Sequence, residues 1–262
     1  MLVPAHGTRW KALHDDISST LIAVICMVRG LFLFLLSGRP RTPLRVLCIV
    51  AFDTLHWLRN GKRLSKFELK KLAALLDFGA CANAAFDHKK VCQNERRVTL
   101  QLLEEADIGL SLSEYLQRLG ILEGGRPRPG GDRSQFQNVR WYREAVVRLS
   151  LGMVATTASV NRCLNEAIAA TYGDGDLNRL FRIVMLCQII DDVLDYSQDR
   201  SAGLPSFLTA CKSFPQSLEQ TQLAAYGYAN NRRINRAAEV FPLRLALFHV
   251  SMFTKLVVSL RR

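Results

Sequence analysis

Acidic residues are scarce in this sequence. Its 262 residues include 23 Asp and Glu against 35 Lys and Arg, which gives a formal net charge of +12. A surface with that balance favours anionic partners, namely nucleic acid, acidic lipid headgroups or a phosphorylated small molecule. The charge by itself does not choose among them. Hydrophobic residues make up 49% of the chain, which is too many for a disordered protein and enough for a large core.

Several common signatures are missing as well. Apolar and polar residues do not alternate over any long run, so the sequence does not favour a β-sheet protein. The 7 cysteines form no CxxC pair and the 5 histidines form no HExxH motif, which argues against a zinc site. We therefore expect a cytoplasmic protein with reduced thiols.

No apolar run is long enough to predict a membrane-spanning helix. The most apolar segment, residues 21–36, is shorter than the roughly 20 residues that a span needs, and Arg29 interrupts it. Asp15 and Asp16 precede the segment, which is unlike a secretory signal peptide. We expect a buried helix here. The arginines within residues 39–45 leave open a peripheral contact with a membrane surface.

Most of the chain instead shows helical periodicity, with apolar residues at i, i+3 and i+4. Ser65 and Glu68 form a capping box at the start of one helix. Asp176 is predicted to cap a helix that ends at Tyr196. The other predicted helical stretches are residues 114–119, 135–172, 206–212, 215–230 and 234–260.

These helices predict an all-α fold in which residues 1–262 form a single-domain helical bundle. Gly and Pro are concentrated within residues 120–134, which predicts a flexible surface loop there rather than a linker between domains. Gly152 lies inside a helical pattern. It either marks a helix break or permits the close approach of a neighbouring helix.

Three aspartates give the strongest functional signal. In the run Q-I-I-D-D-V-L-D-Y, Asp191 and Asp195 are four residues apart and so share one helix face. Asp192 lies beside them, and Gln188 lies one turn earlier. The flanking residues are strongly apolar, where carboxylates are costly unless they are paired or bind a cation. Mg²⁺ suits this arrangement because it binds carboxylates together with phosphate oxygens and water.

The segment 187–205 resembles the second aspartate-rich motif of trans-prenyl diphosphate synthases. In that family Phe-Gln precedes Asp-Asp-x-x-Asp and Gly-Lys-Pro follows it. This chain has Cys187 in place of the Phe and Leu204 in place of the Lys. The resemblance places the chain among the class I isoprenoid synthases, whose all-α fold also includes terpene cyclases. It implies that the helical bundle is of the isoprenoid-synthase type.

The same family carries a first aspartate-rich motif on a facing helix, and two alignments are open for it. One places the motif at residues 83–87, where Asn83 and Asp87 remain as ligand types. The other starts it at Asp87, which brings Arg96 and Arg97 to the position of the family's diphosphate-binding arginine pair. Both alignments leave the first motif incomplete.

The resemblance implies which residues form the active site. The catalytic aspartates are Asp87, Asp191, Asp192 and Asp195. The Mg²⁺ ligands, shared among several ions, are Asn83, Asp87, Asp191, Asp192 and Asp195. The residues that bind the substrate diphosphate are Arg96, Arg97, Arg143 and Gln188.

The expected function is a Mg²⁺-dependent terpene synthase, which ionises a prenyl diphosphate, cyclises or rearranges the carbocation and releases diphosphate. The incomplete first motif favours this over a chain-elongating prenyltransferase, which is the first alternative. The second alternative is a non-catalytic homologue that acts as a partner subunit. We expect a homodimer. We expect no nucleic-acid ligand, because the basic residues are scattered and form no recognition motif.

Overall fold

The computed structural model describes residues 14–18, 21, 24, 25, 28, 43–88, 101, 109–230 and 241–261. These residues are mainly helical and contain no β-strand, which confirms the predicted all-α class. The helices are α1 (Pro43–Asn60), α2 (Lys66–His88), α3 (Gly109–Gly124), α4 (Arg133–Thr157), α5 (Leu164–Gly173), α6 (Gly175–Leu194), α7 (Tyr196–Ala202), α8 (Phe214–Asn230) and α9 (Phe241–Ser259).

Helix α6 is the central element and packs against α4, α5, α8 and α9. Most of its side chains are buried, which is typical of a helix in the middle of a core. The large buried side chains of α6 are Leu177, Leu180, Phe181, Ile183, Met185, Leu186, Ile189 and Val193. Because α6 is enclosed on most sides, its polar groups must be paired or must face a cavity.

Side-chain caps define the starts of two helices. The backbone N–H of Ser65 donates to Glu68 Oε2 at 2.6 Å, and that of Glu68 donates to Ser65 Oγ at 3.2 Å, so the predicted capping box is confirmed. The predicted cap of α6 was wrong. Asp174 has the extended backbone of an N-cap, and its carboxylate accepts from the N–H groups of Asp176 and Leu177.

The pattern predicted as one helix over residues 135–172 is two helices, α4 and α5. The chain turns at residues 158–163, where Ser159 has a left-handed φ of 55°. Helix α5 then folds back on α4, and Gly152 lies at their contact. A Cβ on Gly152 would be 2.8 Å from Cγ1 of Ile168 and 3.3 Å from its backbone N. Gly152 therefore permits close helix packing, and no helix break occurs at it.

Replacing Gly152 with alanine is expected to separate α4 from α5. The added methyl group must displace Ile168, so we expect the free energy of unfolding to fall by about 1–3 kcal/mol. The matched control is Gly120→Ala in α3, where a Cβ meets nothing within 4 Å. That change should raise stability by roughly 0.5–1 kcal/mol, because alanine is the better helix former. Denaturant unfolding measures the free energy of unfolding of both variants. A change in the same direction in both would contradict the close packing at Gly152.

The loop predicted at residues 120–134 is shorter, because α3 and α4 take up its two ends. The helix predicted at residues 114–119 is the interior of α3. The N–H of Gly130 donates to the carbonyl of Thr209 at 2.9 Å and thereby ties the loop to residues 206–212. Those residues form turns and not the predicted helix, because their backbone groups bond to this loop and to the Thr209 hydroxyl.

Helix α9 is apolar on two faces. One face enters the core through Leu243, Leu247 and Val258. On the other face, side chains that are more than half exposed are Phe248, Met252, Phe253 and Leu256. Within the described part of the chain, neither α9 nor any other helix has the length and apolar character needed to cross a membrane.

The apolar segment 21–36 was predicted to be a buried helix. Where the structure describes it, the side chains are exposed instead, since Leu21 is 60% and Val28 is 60% accessible. Helix α1, by contrast, is a core helix, because Phe52 and Leu55 are each 1% exposed. Of the arginines in residues 39–45, two lie outside the described residues and the side chain of the third does as well.

Candidate active site

A pocket of about 390 Å³ is lined by residues of α1, α2, α4, α6 and α7 and of the chain that follows α7. One part of its wall is apolar and is formed by Phe52, Leu76, Val146, Val147, Leu151, Val154, Val184 and Leu204. The other part carries charged and amide side chains, namely Arg143, Gln188, Asp191, Asp192, Asp195, Gln198 and Asp199. A wall divided in this way suits a ligand with an apolar body and a charged head.

Three carboxylates of the polar wall follow one another at intervals of four residues. The N–H of Asp195 donates to the carbonyl of Asp191 at 2.8 Å, and the N–H of Asp199 donates to that of Asp195 at 2.9 Å. The helical spacing therefore continues across the junction of α6 and α7, where Asp195 ends one helix and precedes the next. Asp191 lies in the last turn of α6, at the negative end of its dipole, whereas Asp195 and Asp199 lie at the positive end of the short helix α7.

The pKa values of two pocket carboxylates, Asp191 and Asp199, are raised. Burial of its carboxyl against the pocket wall raises the pKa of Asp191, and repulsion from Asp195 raises it further. Burial also raises the pKa of Asp199, while a hydrogen bond with the Ser206 side chain opposes that shift. A bound cation would relieve the repulsion, so the polar wall is suited to attract one.

Asp192 differs from its neighbours because its carboxylate is engaged within the protein. It is 3% exposed, and its Oδ1 accepts from Arg143 Nη2 at 3.1 Å. Its Oδ2 accepts from the backbone N–H of Phe207 at 2.6 Å. Burial raises the pKa of Asp192 to about 6, although Arg143 opposes the shift. Asp192 thus joins α6 to α4 and to the chain after α7.

Arg143 of α4 connects to α6 and to the chain after α7 through three hydrogen bonds. Its Nη1 donates to Gln188 Oε1 at 3.1 Å, and its Nη2 donates to Asp192 and to the carbonyl of Pro205, each at 3.1 Å. Sequence reasoning assigned Arg143 and Gln188 to one site, and the structure brings them together with the aspartates. The loop that supplies Pro205 leaves α7 at Gly203, whose φ of 65° is left-handed.

The remaining predicted site residues lie wholly or partly outside the part of the chain that the structure describes. Asn83 and Asp87 belong to the last turns of α2, but their side chains lie outside the description. Arg96 and Arg97 lie outside it altogether. Their roles stay predictions.

Sequence reasoning missed Asp199 and Gln198 as pocket residues. The signal was present, since Asp199 continues the four-residue spacing of Asp191 and Asp195. The predicted helix ended at Tyr196, so a residue beyond that end was not assigned to its face. The structure keeps the spacing because α7 follows α6 directly.

The donor set of the pocket consists of hard oxygen atoms, which suit Mg²⁺ better than a softer metal. Across the residues that the structure describes, no group of three or more His, Cys, Asp or Glu is arranged to hold a metal ion by itself. Among the described residues, Cys48, Cys163, Cys187 and Cys211 form no disulfide.

Comparison with known proteins adds no assignment. No family model matches the chain, and neither a curated protein nor a solved structure matches it.

Proposed function

We propose that this protein is a Mg²⁺-dependent class I isoprenoid synthase, and specifically a terpene synthase that ionises a prenyl diphosphate and cyclises or rearranges the carbocation. This proposal rests on the 390 Å³ pocket, whose wall has one apolar part and one part with charged and amide side chains. Its apolar part matches a prenyl chain in polarity. Its carboxylates and Arg143 match a diphosphate that arrives with Mg²⁺.

In this proposal Asp191, Asp195 and Asp199 would each offer carboxylate oxygens to Mg²⁺, and the diphosphate and water would supply the remaining ligands. When bound, Mg²⁺ supplies positive charge that stabilises the diphosphate as its C–O bond breaks and the electron pair leaves with it. Arg143 is held by Gln188, Asp192 and Pro205 at the pocket wall, so its guanidinium is positioned before substrate arrives. Preorganised charge of this kind requires no rearrangement during the reaction.

The apolar wall serves the second half of the reaction. A carbocation reacts with any water that reaches it, so the aliphatic side chains protect it by excluding water. Phe52 of α1 and Tyr142 of α4 are the aromatic residues among the described lining of the pocket, and aromatic rings stabilise a nearby cation.

A terpene synthase is favoured over an elongating prenyltransferase by the charge of the pocket. Among the described residues that line it, Arg143 is the one cationic side chain. An elongating enzyme must bind two diphosphates at once, whereas a terpene synthase binds one. Leu204, at the position where the elongating family has Lys, lines the pocket without adding a charge.

The direct test is a diphosphate-release assay with geranyl, farnesyl and geranylgeranyl diphosphates, run with Mg²⁺ and with EDTA. We expect release with at least one substrate in Mg²⁺ and none in EDTA, together with hydrocarbon or alcohol products by gas chromatography. Adding isopentenyl diphosphate separates the alternatives, because longer diphosphates would show elongation. No release under any of these conditions would favour the non-catalytic homologue.

A further inference from the structure

A second cavity, of about 460 Å³, is lined by residues of α4, α6 and α8. It shares no lining residue with the candidate active site, because it touches other faces of α4 and α6. Its lining residues are Arg140, Glu144, Arg148, Asn178, Phe181, Arg182, Tyr226, Gly227, Tyr228 and Asn230. Three arginines therefore face one glutamate in this cavity.

The glutamate is already engaged. Glu144 Oε1 accepts from Arg140 Nε at 2.9 Å and from the Tyr228 hydroxyl at 2.6 Å. Neither Arg148 nor Arg182 forms an ion pair with a carboxylate of the described chain. Both are largely buried, at 9% and 5% exposure, and burial lowers the pKa of each. The Arg148 guanidinium is partly stabilised, because its central carbon lies 3.8 Å from the centre of the Tyr172 ring and 3.6 Å from that of the Phe181 ring. Three arginines against one glutamate still leave an excess of positive charge in the cavity.

Arg148 and Arg182 use only some of their N–H groups in hydrogen bonds to the protein. Arg148 donates through Nη1 to the carbonyl of Thr171 at 3.2 Å and to its hydroxyl at 3.1 Å. Arg182 donates through Nε and Nη2 to carbonyls at the end of α8. Within the described structure, Arg148 Nε and Nη2 and Arg182 Nη1 have no acceptor. Guanidinium groups with unused donors in a cavity are suited to bind a phosphate or carboxylate oxygen.

Asn178 adds an independent observation. It is 8% exposed, and its Nδ2 donates to the carbonyl of Thr171 at 3.1 Å. Its Oδ1 is buried and has no hydrogen-bond partner among the described residues. A buried acceptor without a partner is rare in a folded protein and calls for a donor. A ligand that offers both anionic oxygens and a hydroxyl would satisfy the arginines and this amide together.

We propose that this cavity, the Arg148–Arg182 pocket, binds a small phosphorylated ligand. Arg148 and Arg182 hold the phosphate oxygens, and Asn178 Oδ1 accepts a hydrogen bond from a hydroxyl of the ligand. Glu144 limits the affinity, because it is the only negative side chain that lines the described pocket. Ligand binding in this pocket is independent of the proposed terpene synthase activity, since the two pockets share no lining residue.

The test is calorimetric titration of the full chain with inorganic phosphate and, separately, with glycerol 2-phosphate. EDTA is present and chloride keeps the ionic strength constant, so that Mg²⁺-dependent binding at the active site does not contribute. We expect saturable binding of at least one probe with a dissociation constant of about 1 mM or lower. Tighter binding of glycerol 2-phosphate identifies a phosphomonoester as the ligand class. No saturable binding of either probe overturns the proposal.

Two variants distinguish ligand binding from a purely structural role. Arg148→Gln should weaken binding by at least about tenfold, the loss expected for one charge-assisted hydrogen bond. Glu144→Gln keeps an acceptor for Arg140 and Tyr228 but removes the negative charge, so binding should become tighter. Unchanged affinity in Glu144→Gln overturns the proposal even if Arg148→Gln fails to fold. Arg162→Gln, an exposed arginine outside the pocket, is the matched control and should bind as the unaltered chain does.

Discussion

Replacing Asp191 and Asp195 together with asparagine is expected to reduce diphosphate release by at least about 10²–10³-fold, the effect typical of losing one preorganised electrostatic group. Asparagine keeps the size and hydrogen-bonding capacity of each side chain but removes the charge that would hold Mg²⁺. The same variant should be more stable than the unaltered chain. Asp195 raises the pKa of Asp191, so the two carboxylates repel each other in the folded protein and not in the unfolded one.

Opposite changes in activity and stability identify a functional cluster, because they show that the fold retains an unfavourable charge arrangement. The matched control is Glu166→Gln, which makes the same chemical change at an exposed position of α5 outside the pocket. We expect it to leave activity unchanged and to lower stability by no more than about 1 kcal/mol, because Glu166 lies in the first turn of α5, where a negative charge is favourable. Thermal unfolding and the diphosphate assay, run on the same preparations, measure the two effects. Retained activity in the double variant would contradict the proposed role of the two aspartates.

Replacing Arg143 with alanine is expected to lower the free energy of unfolding by about 3–5 kcal/mol, because it leaves a buried carboxylate without its cation. Asp192 would keep only the N–H of Phe207 as its hydrogen-bond donor among the contacts described above. The pocket would also lose its cationic side chain, so activity should fall with stability. Denaturant unfolding monitored by circular dichroism measures the first effect.

The control for this prediction is a surface ion pair. Arg133 and Glu219 are 3.3 Å apart and both well exposed, so Arg133→Ala should cost no more than about 1 kcal/mol. Adding Asp192→Asn to Arg143→Ala should recover part of the loss, because the unpaired charge is removed. An equal loss in Arg143→Ala and Arg133→Ala would contradict the argument.

The loss in Arg143→Ala should also depend on pH. The pKa of Asp192 is raised from 3.8 to about 6 in the folded protein. The stability that this shift contributes is therefore full below pH 3.8 and is lost as pH rises through about 6. Without Arg143 the pKa rises further, so the deficit of the variant should be large at pH 7 and small near pH 4. A deficit independent of pH would show that packing and not charge causes it.

The aspartate cluster could be predicted because its information is local. Spacing along one helix fixes which carboxylates share a face, and this placed Asp191 and Asp195 in one wall of the pocket. The different contacts of the individual aspartates could not be predicted. Asp192 binds Arg143 and Phe207, and both partners come from parts of the chain that only the tertiary fold brings to α6.

The all-α class could also be predicted from the sequence, since periodicity and the capping box at Ser65 are local signals. The errors fell where distant contacts decide the outcome. Gly152 allows α5 to fold back on α4, which the uninterrupted pattern concealed. Residues 206–212 exchange backbone hydrogen bonds with the loop before α4. Nothing in the sequence of either segment identifies the other as its partner.

The outer face of α9 affects the colloidal behaviour of the protein. Phe248, Met252 and Phe253 present apolar surface to solvent, while the chain as a whole carries a net charge of +12. At low ionic strength the charge keeps molecules apart over long distances. At 0.15 M salt that repulsion is screened beyond about 8 Å, and exposed apolar faces attract one another at shorter range. Added salt therefore lowers the barrier to self-association through this face.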